Sequence, residues 1–215
     1  MPTILPMRID RLSNAPDRAG RYYATLSDGT KLRLYRRTVE DFGLYPGLEL
    51  SEEEMRRLRS AAGEMSAKMR AVRIVAASSV SKQDLQSRLI RKGETEDDAR
   101  RAVEWMESHD LVDDRATARQ VAESCAAKGY GIARAKQALY EKKIPRQYWE
   151  EALEGYPDQQ EKILTFLRAR LDGESDRRDI QRAVAALTRR GHSYASIREG
   201  LRQLSLETDE LPEDE

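Results

Sequence analysis

The helical part of this chain repeats itself about every 50 residues, and this repeat constrains the fold more than any other feature. Gly93, Lys143 and Gly191 align with one another at spacings of 50 and 48 residues. Each has a leucine four positions before it and a residue that favours a helix start two positions after it. These are Leu89, Leu139 and Leu187, then Thr95, Pro145 and Ser193. A period of this length is typical of stacked supersecondary units.

The repeat predicts a mainly α fold in which tandem three-helix units form an elongated, curved body. Their first helices are expected near residues 66–79, 114–128 and 158–171. Ser51 opens an earlier helix with a capping box, because Glu54 stands three positions after it. The predicted division is a small β module at 1–50, a linker helix and first unit at 51–110, a second unit at 111–157, a third unit at 158–206 and an acidic tail at 207–215.

Residues 1–50 carry the only clear strand patterns and predict a small N-terminal antiparallel β module. Asp28 and Gly29 are a two-residue hairpin signal, because both turn positions need a positive φ and this pair tolerates it. Such a turn predicts two facing pairs, Tyr23 with Leu34 and Thr25 with Leu32. A module of this size is too small to be stable alone, so we expect it to pack against another element.

Composition argues against several classes of protein. The chain has 215 residues, of which 39% are apolar and 35% charged, and Cys125 is its one cysteine. A lone cysteine cannot form an intramolecular disulfide or a cysteine metal cluster. No window approaches the roughly 18 apolar residues of a transmembrane helix. The first residues lack the basic and apolar runs of a signal peptide. We therefore expect a cytoplasmic protein, without a metal or a membrane partner.

The formal net charge of zero hides a segregation of charge along the chain. Residues 207–215 hold six acids and no base, so the remaining residues carry 38 bases against 32 acids. The acidic tail is interpreted either as a solvated, disordered terminus or as a segment that shields a basic surface from non-specific nucleic acid. No long heptad seam predicts an obligate dimer, and a monomer is expected.

The sequence shows no catalytic constellation. His109 and His192 stand at predicted helix ends, where a histidine usually complements the helix dipole. Asp113 and Asp114 resemble a metal-binding pair, but their position just before a helix favours capping. The glycines of residues 128–131 (KGYG) invite a phosphate-loop interpretation, which fails because a third glycine and a preceding strand are lacking. We therefore predict a protein that is not an enzyme and that uses no cofactor.

Basic residues near aromatic residues are the remaining signal for a binding surface. Arg178, Arg182 and Arg189 form a stripe opposite the apolar side of a predicted helix. Further candidates are Arg190 and three residues of the middle unit, Tyr130, Arg134 and Lys136. Basic side chains can meet phosphates, and aromatic rings can stack on bases. The alternative is an ordinary solvated face, and Trp149 is assigned to the core because it aligns with buried positions.

Five segments of the chain, in order, resemble the RecX family of regulatory proteins, which modulate the RecA recombinase. The most specific is residues 111–119 (LVDDRATAR), followed by residues 128–131 (KGYG) and 138–144 (ALYEKKI). Residues 189–194 (RRGHSY) resemble a family segment in the third unit, and residues 47–51 (GLELS) resemble the end of an N-terminal extension found in some members. The resemblance spans nearly the whole chain.

The chain departs from the family pattern at three positions. Thr117 and His192 stand where phenylalanine is common, and Lys143 replaces a usual glycine. These differences affect local packing rather than the assignment.

The resemblance implies a non-enzymatic regulator of homologous recombination and DNA repair. Family members bind the RecA–single-stranded DNA filament, in its groove or at its growing end, and suppress filament extension, ATP hydrolysis and strand exchange. The implied partners are therefore the RecA filament and single-stranded DNA. Two other hypotheses from the residues themselves stay open: a helical-repeat module that binds nucleic acid directly, and a scaffold that binds another protein through small apolar patches.

Overall fold

The computed structural model describes residues 6–172 and 175–205, and the acidic tail at 207–215 lies outside these ranges. The chain divides into two compact units, Met1–Val112 and Asp113–Glu215. We call these the first unit and the second unit, and each three-helix repeat within them a set. The described residues are mostly helical with a small N-terminal antiparallel sheet, which confirms the predicted mainly α class. None of the described helices combines the length and the apolar character that crossing a membrane requires.

A four-stranded antiparallel sheet opens the first unit. Its strands are β1 (Met7–Leu12), β2 (Arg21–Leu26), β3 (Lys31–Tyr35) and β4 (Glu49–Leu50), in the order β3-β2-β1-β4, and the short helix α1 (Arg36–Asp41) follows β3. The inward face of the sheet buries Ile9, Ala24, Leu26 and Leu34. A sheet of this size needs an apolar partner, as the sequence predicts, and a long helix supplies it.

The predicted register of the β2–β3 hairpin is wrong by one residue. The loop holds three residues, because Leu26 pairs with Thr30 and Gly29 takes the left-handed φ of 82°. Three-residue hairpin loops of this kind close with a residue in that conformation. The observed pairs are Tyr22 with Leu34, Tyr23 with Arg33, Ala24 with Leu32 and Thr25 with Lys31. A shift of one residue exchanges the two faces of a strand, so Tyr23 is exposed and Ala24 is buried.

A single long helix serves two cores in the first unit. Helix α2 (Glu52–Ala77) begins with the predicted capping box, in which the Ser51 side chain accepts from the backbone of Glu54. Its first half packs under the sheet, and its second half packs against α3 (Lys82–Arg91) and α4 (Glu96–Ser108). The helix expected near 66–79 is therefore the second half of a longer one.

The second unit contains two further sets of three helices. The first set is α5 (Asp114–Ala127), α6 (Ile132–Glu141) and α7 (Trp149–Leu153), with a short 3₁₀ turn at Arg146–Tyr148 before α7. The second set is α8 (Gln160–Arg168), α9 (Arg177–Arg189) and α10 (Tyr194–Gln203). Each set encloses its own cluster of buried apolar side chains, which includes Leu139 in one and Leu187 in the other.

The positions that align in the sequence are equivalent in the backbone. Gly93, Lys143 and Gly191 all end a helix with a positive φ, of 92°, 54° and 82°. A left-handed residue at this place ends a helix, and glycine adopts it at the lowest cost. Lys143, the one position without glycine, carries the strain that a side chain meets there.

Candidate functional site

The predicted arginine stripe lies on the solvent face of α9. Asp176 caps this helix by accepting from the backbone of Arg178 and Asp179, and the opposite face buries apolar side chains. Arg178, Arg182 and Arg189 are exposed. Arg182 forms an ion pair of 3.1 Å with Asp179, which is an exposed contact and leaves the guanidinium available to a stronger anion.

The outer face of α6 carries apolar side chains that the sequence analysis did not select. Ile132 is 45% exposed and Tyr140 is 65% exposed, and Lys136 lies between them at helical spacing. We call these three residues the α6 face. Their signal in the sequence is weak, because single exposed apolar residues are common on any surface.

A groove of about 840 Å³ borders the α6 face within the second unit. Ile132 and Lys136 line one side, and Arg146 and Trp149 line the other. The indole N–H of Trp149 donates to the carbonyl of Ile144 at 3.0 Å, and its ring packs against the core, as the core assignment predicts. Trp149 is nevertheless half-buried, with the Arg146 guanidinium 5.6 Å from its ring centre.

Two predicted contact residues of the middle unit are less available than expected. Tyr130 is half-buried and packs against the apolar cluster, which corrects the expectation of an exposed linker side chain. Its carbonyl accepts from the hydroxyl of Tyr156 at 2.8 Å. Arg134 is half-buried and paired with Glu141 at 3.1 Å, and this pairing lowers the pKa of the Glu141 carboxyl.

Main-chain atoms join the two helical sets of the second unit. The amide of Gly131, which precedes α6, donates to the carbonyl of Arg190 at 2.9 Å, and the amide of Ala133 donates to the carbonyl of Gly191 at 3.4 Å. The end of α9 thus supplies acceptors to the free amides at the start of α6, with opposite dipole ends together. We call this contact the glycine joint.

Both glycines of this joint are required by close approach. A Cβ at Gly131 would lie 2.0 Å from the Gly191 carbonyl oxygen, and a Cβ at Gly191 would lie 2.2 Å from the amide nitrogen of Arg134. In the sequence, both residues are distinguished only as local helix and loop signals. A contact across 60 residues of sequence leaves no local pattern.

His192 lies buried beside the glycine joint. Its Nε2 is 3.1 Å from the carbonyl oxygen of Gly129, so that nitrogen carries the hydrogen and donates. Burial lowers the pKa of the imidazole, and the charge of Arg190 lowers it further. This histidine is a structural part of the joint, whereas its position in the sequence suggested a partner of the helix dipole.

Arg190 combines three roles at the same place. It caps α9, its carbonyl accepts from Gly131, and its guanidinium lies 4.9 Å from the centre of the Phe166 ring. Arg170 covers the same ring at 3.8 Å. These cation–π contacts hold two exposed positive charges close together at this end of the second unit.

Asp113 and Cys125, whose residue types can serve as metal ligands, have structural roles. Asp113 accepts from the backbone of Arg115 and Ala116 and so caps α5, as predicted. Cys125 is buried in the apolar cluster, and burial raises the pKa of its thiol. No group of three potential metal-ligating side chains occurs among the described residues.

These features define a helical protein built from three-helix repeats, with an N-terminal β module. Two solved structures share the fold. A crystal structure of regulatory protein RecX is 22% identical, with 92% of this chain and 99% of that chain covered and a TM-score of 0.61. That of RecX from Lactobacillus salivarius is 20% identical, with coverages of 67% and 98% and a TM-score of 0.58.

The α5–α7 set matches a known family model. Residues 113–153 match the family model described as RecX, second three-helix domain. This match and the two structural neighbours support a RecX-family protein, as the sequence motifs predict. No curated protein sequence matches it significantly. This likeness supports a role in the regulation of RecA in general.

Proposed function

We propose that this protein binds the RecA–single-stranded DNA filament and inhibits its extension, ATP hydrolysis and strand exchange. The observation that carries the proposal is the match of residues 113–153 to the second three-helix domain of RecX. The same segment presents the α6 face and its groove, which combine exposed apolar and basic side chains. Such a mixture suits a partner that is part protein and part DNA.

Under this proposal the two faces of the second unit have different tasks. The α6 face contacts protein, because exposed apolar and aromatic side chains are typical of the buried centre of protein interfaces. The arginine stripe, with Arg190 beside it, meets phosphates, because guanidinium groups bind them bidentately. Tyr130 and Arg134 support these surfaces from behind rather than by direct contact.

The test is DNA-stimulated ATP hydrolysis by RecA on single-stranded DNA, with this protein titrated at fixed salt. We expect hydrolysis to fall as the protein is added. A fall at protein levels far below those of RecA supports capping of the growing end, and a fall only near equal amounts supports occupation of the filament groove. Unchanged hydrolysis at every ratio would contradict the proposal.

A triple variant tests the arginine stripe in the same assay. Replacing Arg178, Arg182 and Arg189 by Ala should raise the concentration for half-inhibition by about tenfold or more, most steeply at low salt. The matched control replaces three exposed arginines of α2, Arg56, Arg57 and Arg59, and removes the same charge from another place. Equal effects of the two triple variants would show that only overall charge matters.

A further inference from the structure

A pocket in the first unit is lined by six cationic side chains and by no acidic one. It has a volume of about 470 Å³ and lies where β2 and β3 meet the second half of α2 and the end of α3. The cations are Arg21, Arg33, Arg70, Arg73, Arg88 and Lys92. They come from four elements, β2, β3, α2 and α3 with its C-terminal end, so no local sequence pattern predicts the pocket.

Half of these charges are neutralised by carboxylates that stand outside the lining. The ion pairs are Arg21 with Asp17 at 2.7 Å, Arg70 with Glu94 at 2.7 Å and Arg88 with Asp84 at 2.8 Å. Each pair fixes a guanidinium in place at the wall of the pocket. The pairs therefore preorganise the lining without cancelling its remaining charge.

The other three cations have no carboxylate partner among the described residues. Arg73 donates to the carbonyl of Ala19 at 2.8 Å, which orients its guanidinium but leaves its charge uncompensated. Arg33 and Lys92 are exposed at the rim. Like charges held this close repel one another, and a bound anion would relieve that repulsion.

The shape and chemistry of the pocket favour phosphate groups carried on a flexible strand. Arginine forks match phosphate oxygens bidentately. Ligand pockets span about 300–1,000 Å³, so the volume suits a nucleotide-sized part of a strand. Tyr35, Ile74 and Ala77 add apolar wall between the cations. A rigid duplex presents its phosphates on a convex surface and could not enter such a concavity, whereas a single strand can bend into it.

We propose that this pocket binds the phosphate groups of a single-stranded nucleic acid directly, without RecA. The proposal goes beyond the function proposed above, because it concerns the first unit and none of residues 113–153, which match the RecX domain model. It assigns the N-terminal β module a role, since Arg21 and Arg33 of the sheet form one wall.

The test measures binding of the full chain to a fluorescein-labelled oligothymidylate of about 20 nucleotides, longer than the roughly 4–16 nucleotides that one module covers. Fluorescence anisotropy is followed over a series of salt concentrations with no RecA present. Replacing both Arg33 and Lys92 by Gln should weaken binding about tenfold at low salt and reduce the slope of log affinity against log salt by about 1.4. These two residues make no ion pair in the described chain, so folding should be retained.

The matched control replaces Lys31 and Arg91 by Gln, which removes the same charge from neighbouring exposed positions outside the lining. The control should keep both affinity and slope, and so should the conservative pair Arg33→Lys with Lys92→Arg. Thermal unfolding of every variant checks that each is folded.

Several outcomes would overturn the proposal. They are absence of binding by the unaltered chain, equal losses in the pocket and control variants, or duplex binding with the same sensitivity to Arg33 and Lys92. If inorganic tripolyphosphate displaces the labelled oligonucleotide at a lower concentration of phosphate groups than an unlabelled oligonucleotide needs, the pocket is assigned to free polyphosphate instead. If the unaltered chain binds the oligonucleotide but leaves ATP hydrolysis by RecA unchanged, the function proposed above fails and the pocket proposal stands. The two proposals can therefore fail separately.

Discussion

Gly93 and Gly191 hold the same place in two repeats, yet their surroundings differ completely. Both end a helix with a positive φ, and both precede a capped helix start. Nothing lies within 4 Å of a Cβ added at Gly93, whereas a Cβ at Gly191 would collide with the backbone of Arg134. The backbone conformation is a local property that the repeat predicts. The close approach is a property of the assembled unit.

The second helices of the three repeats, α3, α6 and α9, also begin in different ways. Ser81 and Asp176 cap α3 and α9 with their side chains, but Gly131 has no side chain to cap α6. The carbonyls of Arg190 and Gly191 take over that function. A serine at position 131 would satisfy the local rule and destroy the joint, because its Cβ would meet Gly191.

The largest expected effect separates these two glycines. Gly191→Ala should lower the free energy of unfolding by about 2–5 kcal/mol, since left-handed strain of about 1–2 kcal/mol adds to overpacking of about 1–3 kcal/mol. Gly93→Ala should cost only the strain. Chemical denaturation measures both variants, and equal losses would mean that the glycine joint is not a firm contact.

The next effect concerns pH and the buried histidine of the joint. The pKa of His192 is lower in the folded chain than its ordinary value of about 6.5, so the unfolded chain takes up the proton first on acidification. Stability should therefore be full above about pH 6.5 and fall below it, by at most about 1.4 kcal/mol per pH unit, until the lowered pKa is reached.

Two variants isolate this contribution. Denaturation midpoints between neutral and mildly acidic pH should depend less on pH in His192→Phe, which cannot take up a proton. His109→Gln removes an exposed histidine and should leave the dependence as it was. A profile that is unchanged in His192→Phe would exclude His192 as its source.

A smaller effect is expected at the repeat position that lacks glycine. Lys143→Gly should raise the free energy of unfolding by about 1 kcal/mol, because it releases left-handed strain at a φ of 54°. Lys143→Ala removes the side chain and keeps the strain, so it serves as the control. A gain in both variants would point to the lysine side chain rather than to the backbone.

The last prediction concerns the hydrogen bond from Tyr156 to the carbonyl of Tyr130 in the second repeat. Tyr156 donates to the Tyr130 carbonyl at 2.8 Å, and burial raises the pKa of its hydroxyl to about 12. Met106 holds the aligned position in the first repeat and is buried by packing alone. Tyr156→Phe should cost about 1 kcal/mol in thermal or chemical unfolding. A loss near zero would show that water replaces the lost donor.

Local signals predicted the parts of the structure that depend on neighbours in sequence. The capping box at Ser51, the cap at Asp113 and the helix ends at Gly129 and Gly191 all follow from residue type and spacing. The predicted hairpin register was wrong because a single glycine fits hairpin loops of either two or three residues. The observed register places the apolar residues Ala24, Leu26, Leu32 and Leu34 on one face, and this apolar alternation was a second signal that would have distinguished the two loops.

The candidate surfaces were predicted less completely, for a physical reason. The arginine stripe lies on one helix and could be found from periodicity. The cationic pocket of the first unit gathers residues from four elements, and the glycine joint links positions 60 residues apart. Both depend on tertiary packing, which a single sequence does not specify locally.

The glycine joint also has a consequence for how this protein can change over time. The two hydrogen bonds between its helix ends use main-chain atoms, which substitutions outside the two glycines retain, except for a proline at Ala133. The side chains on the outside of α6 and α9 can therefore be exchanged without moving one helical set against the other. Affinity for a partner can thus be retuned by surface substitution alone, on an architecture that stays constant.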